Sequence, residues 1–466
     1  MSNKKIVIYG GGTISYVRNH LALAARGYGN TAEWLGEIFA NNNSGMDIDV
    51  KLTKMAFRGS QLETNEDVSQ DLDKIIADPT TKIVVMSCAL CDFDGTVNDE
   101  PSGKYGQRLD SNVGYTIKMM PADKLIGKIR KDRKDIFLVG FKNTCGLSEQ
   151  DQYIAGLRLC KKSSCNLVFC NDAQTRLNMV ITPEEAKYHV TTNRRDALYG
   201  LVEMTLLRSH LTHTRSTVIS GNSVPWDSPE VPTVLRTVVD YCIRHHAYKP
   251  FNGSTTGHFA CKLSDDTFLT SKRRTNFNRI YQEGLVKIKT NGPDTVLAYG
   301  AKPSVGGQSQ RIVFNDHKEM DCIVHFHCPI KEGSAVPVVS QREFECGSHE
   351  CGDNTSKGLM SFGSIKAVYL DNHGPNIVFH HSVDPQLVID FIEQNFDLSN
   401  KTGGYVSPMK VCPGHDPNRY SCAKMIPHHI DYCPTCEKIV EREREIQFQE
   451  NWSDQMSRHE GRYGSF

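Results

Sequence analysis

Three histidines in the second half of the chain have the residue type and spacing of a catalytic metal site. His325 and His327 lie in the run CIVHFH, which predicts a strand over residues 322–327 with both imidazoles on one face. His373 follows a second apolar run, in an Asn-His-Gly turn. Three imidazoles would leave one coordination position open for a reactant, which favours zinc, with manganese, cobalt or iron as alternatives. For the pair on the strand alone, the other interpretation is a structural role.

A second group of metal-ligand residue types lies near the end of the chain. Cys412 and His415 form a C-x2-H pair, and Cys433 and Cys436 form a C-x2-C pair. Such paired knuckles are typical of ribbon-type structural zinc, so we predict a closed tetrahedral zinc site there. Alternative ligands in the same segment are Cys422, His428 and His429. The other interpretation is a loop-rich tail with reduced cysteines.

A glycine loop near the start of the chain has the composition of a phosphate-binding turn. Gly11, Gly12 and Thr13 directly follow a strand-like run, where glycines let backbone N–H groups approach phosphate oxygens. The loop is not a Walker A motif and does not spell G-x-G-x-x-G. For this loop alone, a simple glycine turn is the alternative interpretation.

The strands and helices that must position these residues are those of an α/β protein. A chain of 466 residues is longer than one hydrophobic core usually supports, so we predict several domains. Residues 1–210 alternate apolar runs with helical stretches, which predicts a doubly wound, Rossmann-like parallel sheet. We predict a linker over 211–232, an α/β domain over 233–400, and a Cys/His-rich, zinc-ribbon-like tail with a terminal helix over 401–466. The predicted strands of the first domain are 6–9, 83–87, 136–141, 167–170 and an edge strand at 188–190. The predicted helices are 32–39, 195–209, 234–245 and 384–395.

Composition narrows the classes of function. The 54 basic residues equal the 54 acidic ones, so no overall field favours nucleic acid or an anionic membrane as a partner. We find no secretory signal and no apolar run long enough for a membrane span. The 16 cysteines are then expected as reduced thiols or metal ligands. We therefore expect a cytoplasmic protein that acts on small molecules.

Five ordered motifs in the first domain resemble the phosphopantothenate–cysteine ligase domain of DNA/pantothenate-metabolism flavoproteins. The motifs are IVIYGGGTISYVR, VVMSCALCDF, YTIKMMPADKLI, FLVGFKNT and NLVFCNDAQ. The resemblance covers nearly all of residues 4–208 and implies a site for CTP or ATP. By position, that site would be lined by Gly11, Gly12, Thr13, Asp92, Lys104, Phe141, Asn171 and Asp172, with Lys161 and Lys162 as weaker candidates. The flavin-binding half of that family has no counterpart here, so we expect no FMN.

One position of this resemblance bears on ligase chemistry. The family's asparagine that holds the acyl intermediate aligns with Ala22, and Asn19 would serve only if the loop were rebuilt. The resemblance therefore implies nucleotide binding more directly than it implies ligation.

Residues 234 to 397 resemble the class II aldolase/adducin family. The resemblance rests on the H-x-H strand, the later Asn-His-Gly and the segment TTGHFACKLSDDTFLTS. It implies a zinc-dependent lyase for a small phosphorylated sugar or carbonyl compound, in which the three histidines hold the ion that stabilises an enediolate. The family's phosphate-binding positions align with Gly257, Lys272, Arg273 and Ser304, and His258 replaces its asparagine.

The general base of such a lyase is unassigned in this sequence. The family's catalytic glutamate aligns with Gly306, and the nearby Gln308 and Gln310 are amides, which do not take up a proton as a carboxylate does. Glu332 is a further weak candidate, and Glu343 and Glu345 are possible replacements that the sequence does not rank.

The leading hypothesis is a bifunctional or relic-bifunctional enzyme, with a coenzyme A biosynthesis-like ligase domain joined to a metal-dependent lyase. The alternative is a catalytically inactive binding or scaffold protein that retains both sites. A third hypothesis is an active ligase whose second domain serves assembly. Both resembled families usually form oligomers, which implies a homo-oligomer here.

Overall fold

The structure is a computed structural model of the 466-residue chain. It describes residues 4–42, 45–98, 100, 102–251, 253–304 and 307–402, with the short stretches 409–411, 425–427, 436, 439–440 and 442. Two large sheets dominate, one in each half of the chain. Within these described ranges, no helix has the length and apolar character needed to cross a membrane.

The first half folds around a seven-stranded sheet and carries two small hairpins. Its strands are β1 (Lys5–Gly10), β2 (Ile14–Arg18), β3 (Leu21–Ala24), β4 (Asp47–Leu52), β5 (Thr81–Met86), β6 (Phe93–Val97), β7 (Ile117–Pro121), β8 (Phe137–Thr144), β9 (Leu167–Asp172), β10 (Asn178–Ile181) and β11 (Lys187–Thr191). Its helices are α1 (Asn30–Asn41), α2 (Asn65–Ala77), α3 (Ile126–Asp132), α4 (Glu149–Ser163) and α5 (Arg194–Arg208).

The sheet of the first half is doubly wound, as the sequence predicts. Its strand order is β11-β10-β9-β8-β5-β1-β4, and the five strands from β9 to β4 run parallel. In β1, Ile6 and Ile8 pack against α1 and α5, whereas Val7 and Tyr9 pack on the opposite face against α2 and α4. Because helices cover both faces, the parallel strands are continuous apolar runs, and such runs can be predicted from the sequence.

The second half is built on a ten-stranded, mostly antiparallel sheet. Its strands are β12 (Arg215–Ile219), β13 (Pro250–Phe251), β14 (Ser254–Thr255), β15 (His258–Lys262), β16 (Thr267–Thr270), β17 (Val286–Thr290), β18 (Thr295–Tyr299), β19 (Cys322–His325), β20 (Val338–Val339), β21 (Met360–Phe362), β22 (Ile365–Leu370) and β23 (Gly374–Phe379). Its helices are α6 (Thr233–Arg244), α7 (Ile280–Glu283), α8 (Gly307–Asp316), α9 (His349–Gly358) and α10 (Pro385–Asn395), with a 3-10 turn at Phe277–Arg279. Two further strands, β24 (Met409–Val411) and β25 (Met425–Pro427), pair with each other.

The large sheet of the second half has the order β12-β18-β17-β16-β15-β19-β23-β22-β20, with β21 on β22; β13 and β14 form a separate hairpin. Helices α6 and α10 cover one face, where Leu235 and Ile392 join the largest core cluster. Helix α8 covers part of the other face through Val313 and Phe314. The central strands β15, β19 and β23 therefore pack between helices on both faces.

Two boundaries differ from those predicted. The segment 211–232, predicted as a linker, contributes β12, which pairs in parallel with β18, and Trp226, which is fully buried in the core. The indole N–H of Trp226 donates to Asp240 at 3.0 Å, which fixes this segment against α6. The strand predicted over 322–327 ends at His325, so His327 lies in the segment that follows β19.

The two halves meet at a buried polar interface around the hairpin between β10 and β11. Glu184, on this hairpin, pairs with Arg208 at 3.1 Å, and both side chains are fully buried. The Arg208 guanidinium also donates to the backbone carbonyls of Gln341 and Arg342 in the second half, at 3.1 and 3.0 Å. The backbone N–H of Cys346 donates to the Glu184 carboxylate at 2.5 Å. These contacts cross from one half to the other and fix their relative orientation.

We expect Arg208→Met to lower the free energy of unfolding by about 3–5 kcal/mol, because Glu184 would remain buried without its cation. The measurement is urea unfolding followed by circular dichroism. The control is Lys287→Met, whose pair with Glu230 is at 2.6 Å on the surface and should change stability by less than about 1 kcal/mol. Equal losses in the two variants would contradict this account of the interface.

Candidate functional site

The three predicted histidines converge on one point in the second half. His325 ends β19, His327 lies two residues further on, and His373 lies in the turn between β22 and β23. One ring nitrogen from each lies within 4.8 Å of the others, and the Nε2 atoms of His325 and His373 are 3.2 Å apart. All three side chains are buried. The structure therefore brings together the complete predicted ligand set.

The backbone around the histidines requires glycine at two positions. Gly374 has φ +151°, and a Cβ there would lie 2.1 Å from the carbonyl oxygen of Phe326. Gly257 has φ +113°, and its Cβ would lie 2.5 Å from the carbonyl oxygen of His325. Only a residue without a side chain allows such close backbone approach. The glycine of the Asn-His-Gly motif thus lets β23 pack directly against the segment that carries His327.

Hydrogen bonds show which nitrogen of the H-x-H histidines faces the cluster. The Nδ1 atom of His325 lies 2.7 Å from the carbonyl oxygen of Pro375, so Nδ1 carries the proton and Nε2 is free to bind an ion. The Nδ1 atom of His327 lies 3.4 Å from the Glu185 carboxylate, which has the same effect. The Nδ1 atom of His373 has no hydrogen-bond partner among the described residues.

The electrostatics of the cluster fit a divalent metal ion. Burial, together with the neighbouring imidazoles, holds the pKa values of His325 and His373 well below the usual range. Burial also lowers the pKa of His327, against the opposing effect of Glu185. The three imidazoles are therefore neutral at neutral pH and present lone pairs rather than protons. Neutral imidazoles that share one point are the ligand set that zinc and related ions bind.

A fourth histidine lies beside the cluster. His258 is opposite His325 across β15 and β19, and the two ring centroids are 4.7 Å apart. The Thr270 hydroxyl donates to Oε1 of Gln310 at 2.9 Å, so the Gln310 amide N–H donates to Nδ1 of His258 at 2.5 Å. The His258 proton is thereby placed on Nε2. Burial, together with the neighbouring His327 imidazole, lowers the pKa of His258 to about 3, which makes its ring a neutral N–H donor.

The predicted phosphate-binding residues lie at the His258 end of the same sheet. The backbone N–H of Arg273 donates to Lys302 at 3.0 Å, and that of Ser304 donates to Ser271 at 2.9 Å, so the two loops run side by side. The Arg273 side chain is exposed, and the buried Ser271 hydroxyl has no partner among the described residues.

One of these phosphate-binding candidates is engaged elsewhere. The Lys272 ammonium contacts the backbone carbonyl and the carboxylate of Glu283. Gly257, Arg273 and Ser304 therefore remain the better placed candidates.

The predicted general-base candidates are not beside the histidines. Glu332 is exposed, the Ser340 hydroxyl donates to Glu343, and Glu345 accepts from Asn166 at the domain interface. Gly306 and the side chain of Gln308 lie outside the described residues, and Gln310 reaches the cluster only through His258.

The carboxylate that contacts the cluster is Glu185, from the first half of the chain. Sequence reasoning missed it because 142 residues separate it from His327. Two consecutive acidic residues after an apolar strand were the only available signal, and such a pair is usually solvated.

The predicted nucleotide-site residues gather at one edge of the first sheet. Gly11, Gly12 and Thr13 follow β1, Asp92 follows β5, Phe141 lies in β8, and Asn171 and Asp172 end β9. The carboxyl ends of neighbouring parallel strands form the crevice in which such sheets bind ligands. Lys104 lies in the β6–β7 connection, where its ammonium pairs with Glu63 at 3.1 Å and lies 5.4 Å from the Tyr16 ring.

Two of these residues have structural partners that occupy their polar atoms. The buried Thr13 hydroxyl donates to Asn65 at 2.6 Å and accepts from the backbone N–H of Cys91 at 2.8 Å. The Asp172 carboxylate accepts backbone N–H groups at Gly146 and Thr175, at 3.0 and 2.8 Å. Burial would raise the pKa of Asp172, but these hydrogen bonds lower it below its usual range. Both residues therefore shape the loops of the crevice.

The position that aligns with the ligase asparagine lies on a strand, and the nearby asparagine is already hydrogen-bonded. Ala22 lies on β3 opposite Tyr16. The Asn19 side chain donates to the backbone carbonyl of Lys104 at 3.0 Å, so its amide is held by the β6–β7 connection.

Three of the four predicted tail ligands, Cys412, His415 and Cys433, lie outside the described residues, as do their alternatives Cys422, His428 and His429. Cys436 is described and buried. Structural zinc in the tail stays a prediction.

Comparison with known proteins finds a family model that matches part of the second half. Residues 237–384 match the sequence profile of the Class II Aldolase and Adducin N-terminal domain. This segment is similar to the class II aldolase/adducin domain. The matched range contains all three histidines of the cluster, so the candidate metal centre lies within the class II aldolase/adducin-like segment.

The chain is also 26% identical over 111 residues to the Coenzyme A biosynthesis bifunctional protein CoaBC of Thermococcus kodakarensis. This alignment covers 24% of the chain and 26% of that protein, so the chain spans about a quarter of the length of this curated relative. The motif-based prediction is confirmed: a phosphopantothenate–cysteine ligase-like domain is joined to a class II aldolase/adducin-like domain.

Two solved structures show the range of structural similarity. The DNA/pantothenate metabolism flavoprotein from Streptococcus pneumoniae is 15% identical with a TM-score of 0.36, covering 43% of this chain and 97% of that chain. L-fuculose 1-phosphate aldolase is 17% identical with a TM-score of 0.27, covering 34% of this chain and 82% of that chain.

We expect His373→Ala to lose about one equivalent of bound divalent metal per chain, because two imidazoles hold an ion far more weakly than three. The measurement is elemental analysis of the purified, folded full-length protein. The matched control is His210→Ala, an exposed histidine away from the cluster, which should keep the metal content of the unaltered protein. Equal metal content in both variants would rule out the three-histidine site.

Proposed function

We propose that the class II aldolase/adducin domain is a metal-dependent lyase for a small phosphorylated sugar or a related carbonyl compound. The observation that supports this most strongly is the convergence of three neutral imidazoles beside a fourth, donor histidine. A divalent ion held by His325, His327 and His373 would supply Lewis-acid polarisation of a substrate carbonyl or hydroxyl and offset the charge that develops on its oxygen.

The residues around the cluster can bind and orient such a substrate. His258, protonated on Nε2, offers a neutral hydrogen bond to a substrate oxygen, and Gln310 with Thr270 holds its tautomer fixed. The exposed Arg273 guanidinium lies two residues after the buried Ser271 hydroxyl, which has no hydrogen-bond partner in the described part of the chain. A cation and a hydroxyl donor are the groups that hold a phosphate. The lyase proposal therefore gives each of these polar groups a role.

A second candidate function is a binding or scaffold module with a structural metal. The deep burial of the three histidines favours it, because structural sites are closed whereas catalytic sites keep an open position. The glycine at position 306 also favours it, because that position aligns with the catalytic glutamate of the family. Substrate turnover by the purified protein distinguishes the lyase from the scaffold module.

We expect the purified protein to cleave at least one phosphorylated ketose or related carbonyl substrate, measured by coupled detection of the aldehyde or ketone product. A chelator should reduce turnover by about 100-fold or more, and added zinc or manganese should restore it, because the ion stabilises the transition state. His373→Ala should be inactive and His210→Ala unchanged. A panel without turnover would support the scaffold function, whereas turnover that the chelator leaves intact would contradict the metal dependence of the proposed lyase.

For the first half, we propose a nucleotide-binding site for CTP or ATP at the carboxyl edge of the sheet. The glycine loop and Asp92 follow β1 and β5, and Phe141 and Asn171 lie in β8 and β9; these are four adjacent parallel strands, and this placement supports the proposal. Since Ala22 offers no carboxamide and Asn19 is bonded to the β6–β7 connection, this site supports nucleotide binding rather than acyl transfer.

We expect CTP or ATP to raise the thermal midpoint of unfolding. At 100 times its dissociation constant, the nucleotide should give a gain of about 2.7 kcal/mol in the free energy of unfolding. Lys104→Ala should reduce the gain, because it removes a cation near the triphosphate. The control is Lys134→Ala, an exposed lysine before the amino end of β8, which should leave the gain intact. No shift with either nucleotide would contradict the proposed site.

A further inference from the structure

The hairpin between β10 and β11 inserts two consecutive glutamates of the first domain into the second. Both side chains are fully buried. Glu185 has φ +72°, a left-handed conformation that non-glycine residues adopt rarely. The Tyr153 hydroxyl holds this residue in place by donating to its carbonyl oxygen at 2.5 Å, and the Glu185 N–H donates to Thr182 at 3.1 Å. The turn is therefore built to direct the Glu185 carboxylate out of its own domain.

The Glu185 carboxylate reaches cations and a histidine from both halves of the chain. Its Oε2 atom contacts the buried ammonium of Lys401 and lies 3.4 Å from Nδ1 of His327. Its Oε1 atom lies 3.2 Å from the ammonium of Lys161 on α4. Burial alone would raise the pKa of Glu185, but the two ammonium groups hold it well below its usual range. The group is therefore a buried carboxylate anion.

The contact with His327 matches the way in which metal-bound histidines are usually oriented. A ligating imidazole commonly donates its second N–H to a carboxylate or a backbone carbonyl, which fixes both the tautomer and the ring plane. His325 uses the carbonyl of Pro375 for this purpose. For His327, the corresponding acceptor is Glu185. Both histidines of the H-x-H pair thus have an acceptor behind the ring.

We propose that Glu185 is a positioning residue of the metal centre, so that the first domain completes the metal site of the second. The inference rests on the proposed function, because it takes the three histidines to bind an ion. Glu185 contacts the Nδ1 side of His327 and is not among the groups that share the cluster point. It therefore acts through His327 and does not coordinate the ion. The contact between Glu185 and His327 gives a physical reason for the two domains to be joined in one chain.

The test is the affinity of the full-length protein for Zn²⁺, measured by competition with a chromophoric chelator, and the visible absorption of the Co²⁺-loaded protein. Glu185→Gln should bind Zn²⁺ about 10–100-fold more weakly and alter the Co²⁺ spectrum, because an amide oxygen is a poorer acceptor for the His327 N–H. The control is Glu203→Gln, a carboxylate of α5 that pairs with Arg342 of the second half at 2.6 Å rather than with His327. It should leave the affinity and the spectrum unchanged.

The variants separate positioning from a merely structural role. Glu185→Asp keeps the charge that Lys161 and Lys401 require but withdraws the carboxylate from His327. It should also weaken Zn²⁺ binding, and it replaces Glu185→Gln if that variant does not fold. Equal weakening by Glu203→Gln, or wild-type affinity in both Glu185 variants, overturns the inference while the lyase proposal stands. If the unaltered protein binds no Zn²⁺, or if His373→Ala binds it as tightly as the unaltered protein, both the inference and the lyase proposal are overturned.

Discussion

The burial of two adjacent carboxylates, Glu184 and Glu185, is the constraint on which the relation between the two domains depends. An ionised carboxylate removed from water requires a nearby cation and hydrogen-bond donors. Glu184 pairs with the Arg208 guanidinium and accepts a backbone N–H of the second domain. Glu185 pairs with the ammonium groups of Lys161 and Lys401. Because these partners have fixed positions, only one relative orientation of the domains satisfies both charges.

The metal centre is assembled under the same kind of constraint on a smaller scale. Its three imidazoles come from two chain segments that meet only because Gly374 lets the backbones touch. Burial keeps the rings neutral, and the acceptors behind His325 and His327 set their tautomers. The neighbouring His258 is fixed by Gln310 and offers a donor instead of a lone pair. Identical side chains thus acquire different roles from their hydrogen-bond partners.

The sequence predicted the parallel sheet and the three histidines because both signals are local. Strands buried on two faces are continuous apolar runs, and the H-x-H and Asn-His-Gly motifs each lie within a few residues. Strand β12 was missed, and its segment was predicted as a linker, because most of its side chains are exposed at the sheet edge and show no apolar pattern. Glu185 was missed because docking between domains leaves no periodic signal in the chain.

The hairpin that carries Glu184 and Glu185 also restricts how such a protein can diverge. A gene rearrangement that exchanged either domain for that of a relative would leave two acidic groups facing surfaces without matching cations. The exchanged product would have to acquire the counterpart of Arg208, Lys161 or Lys401 at the same time. Inheritance of the pair as a single unit follows from this, even though each domain has its own sheet and its own core.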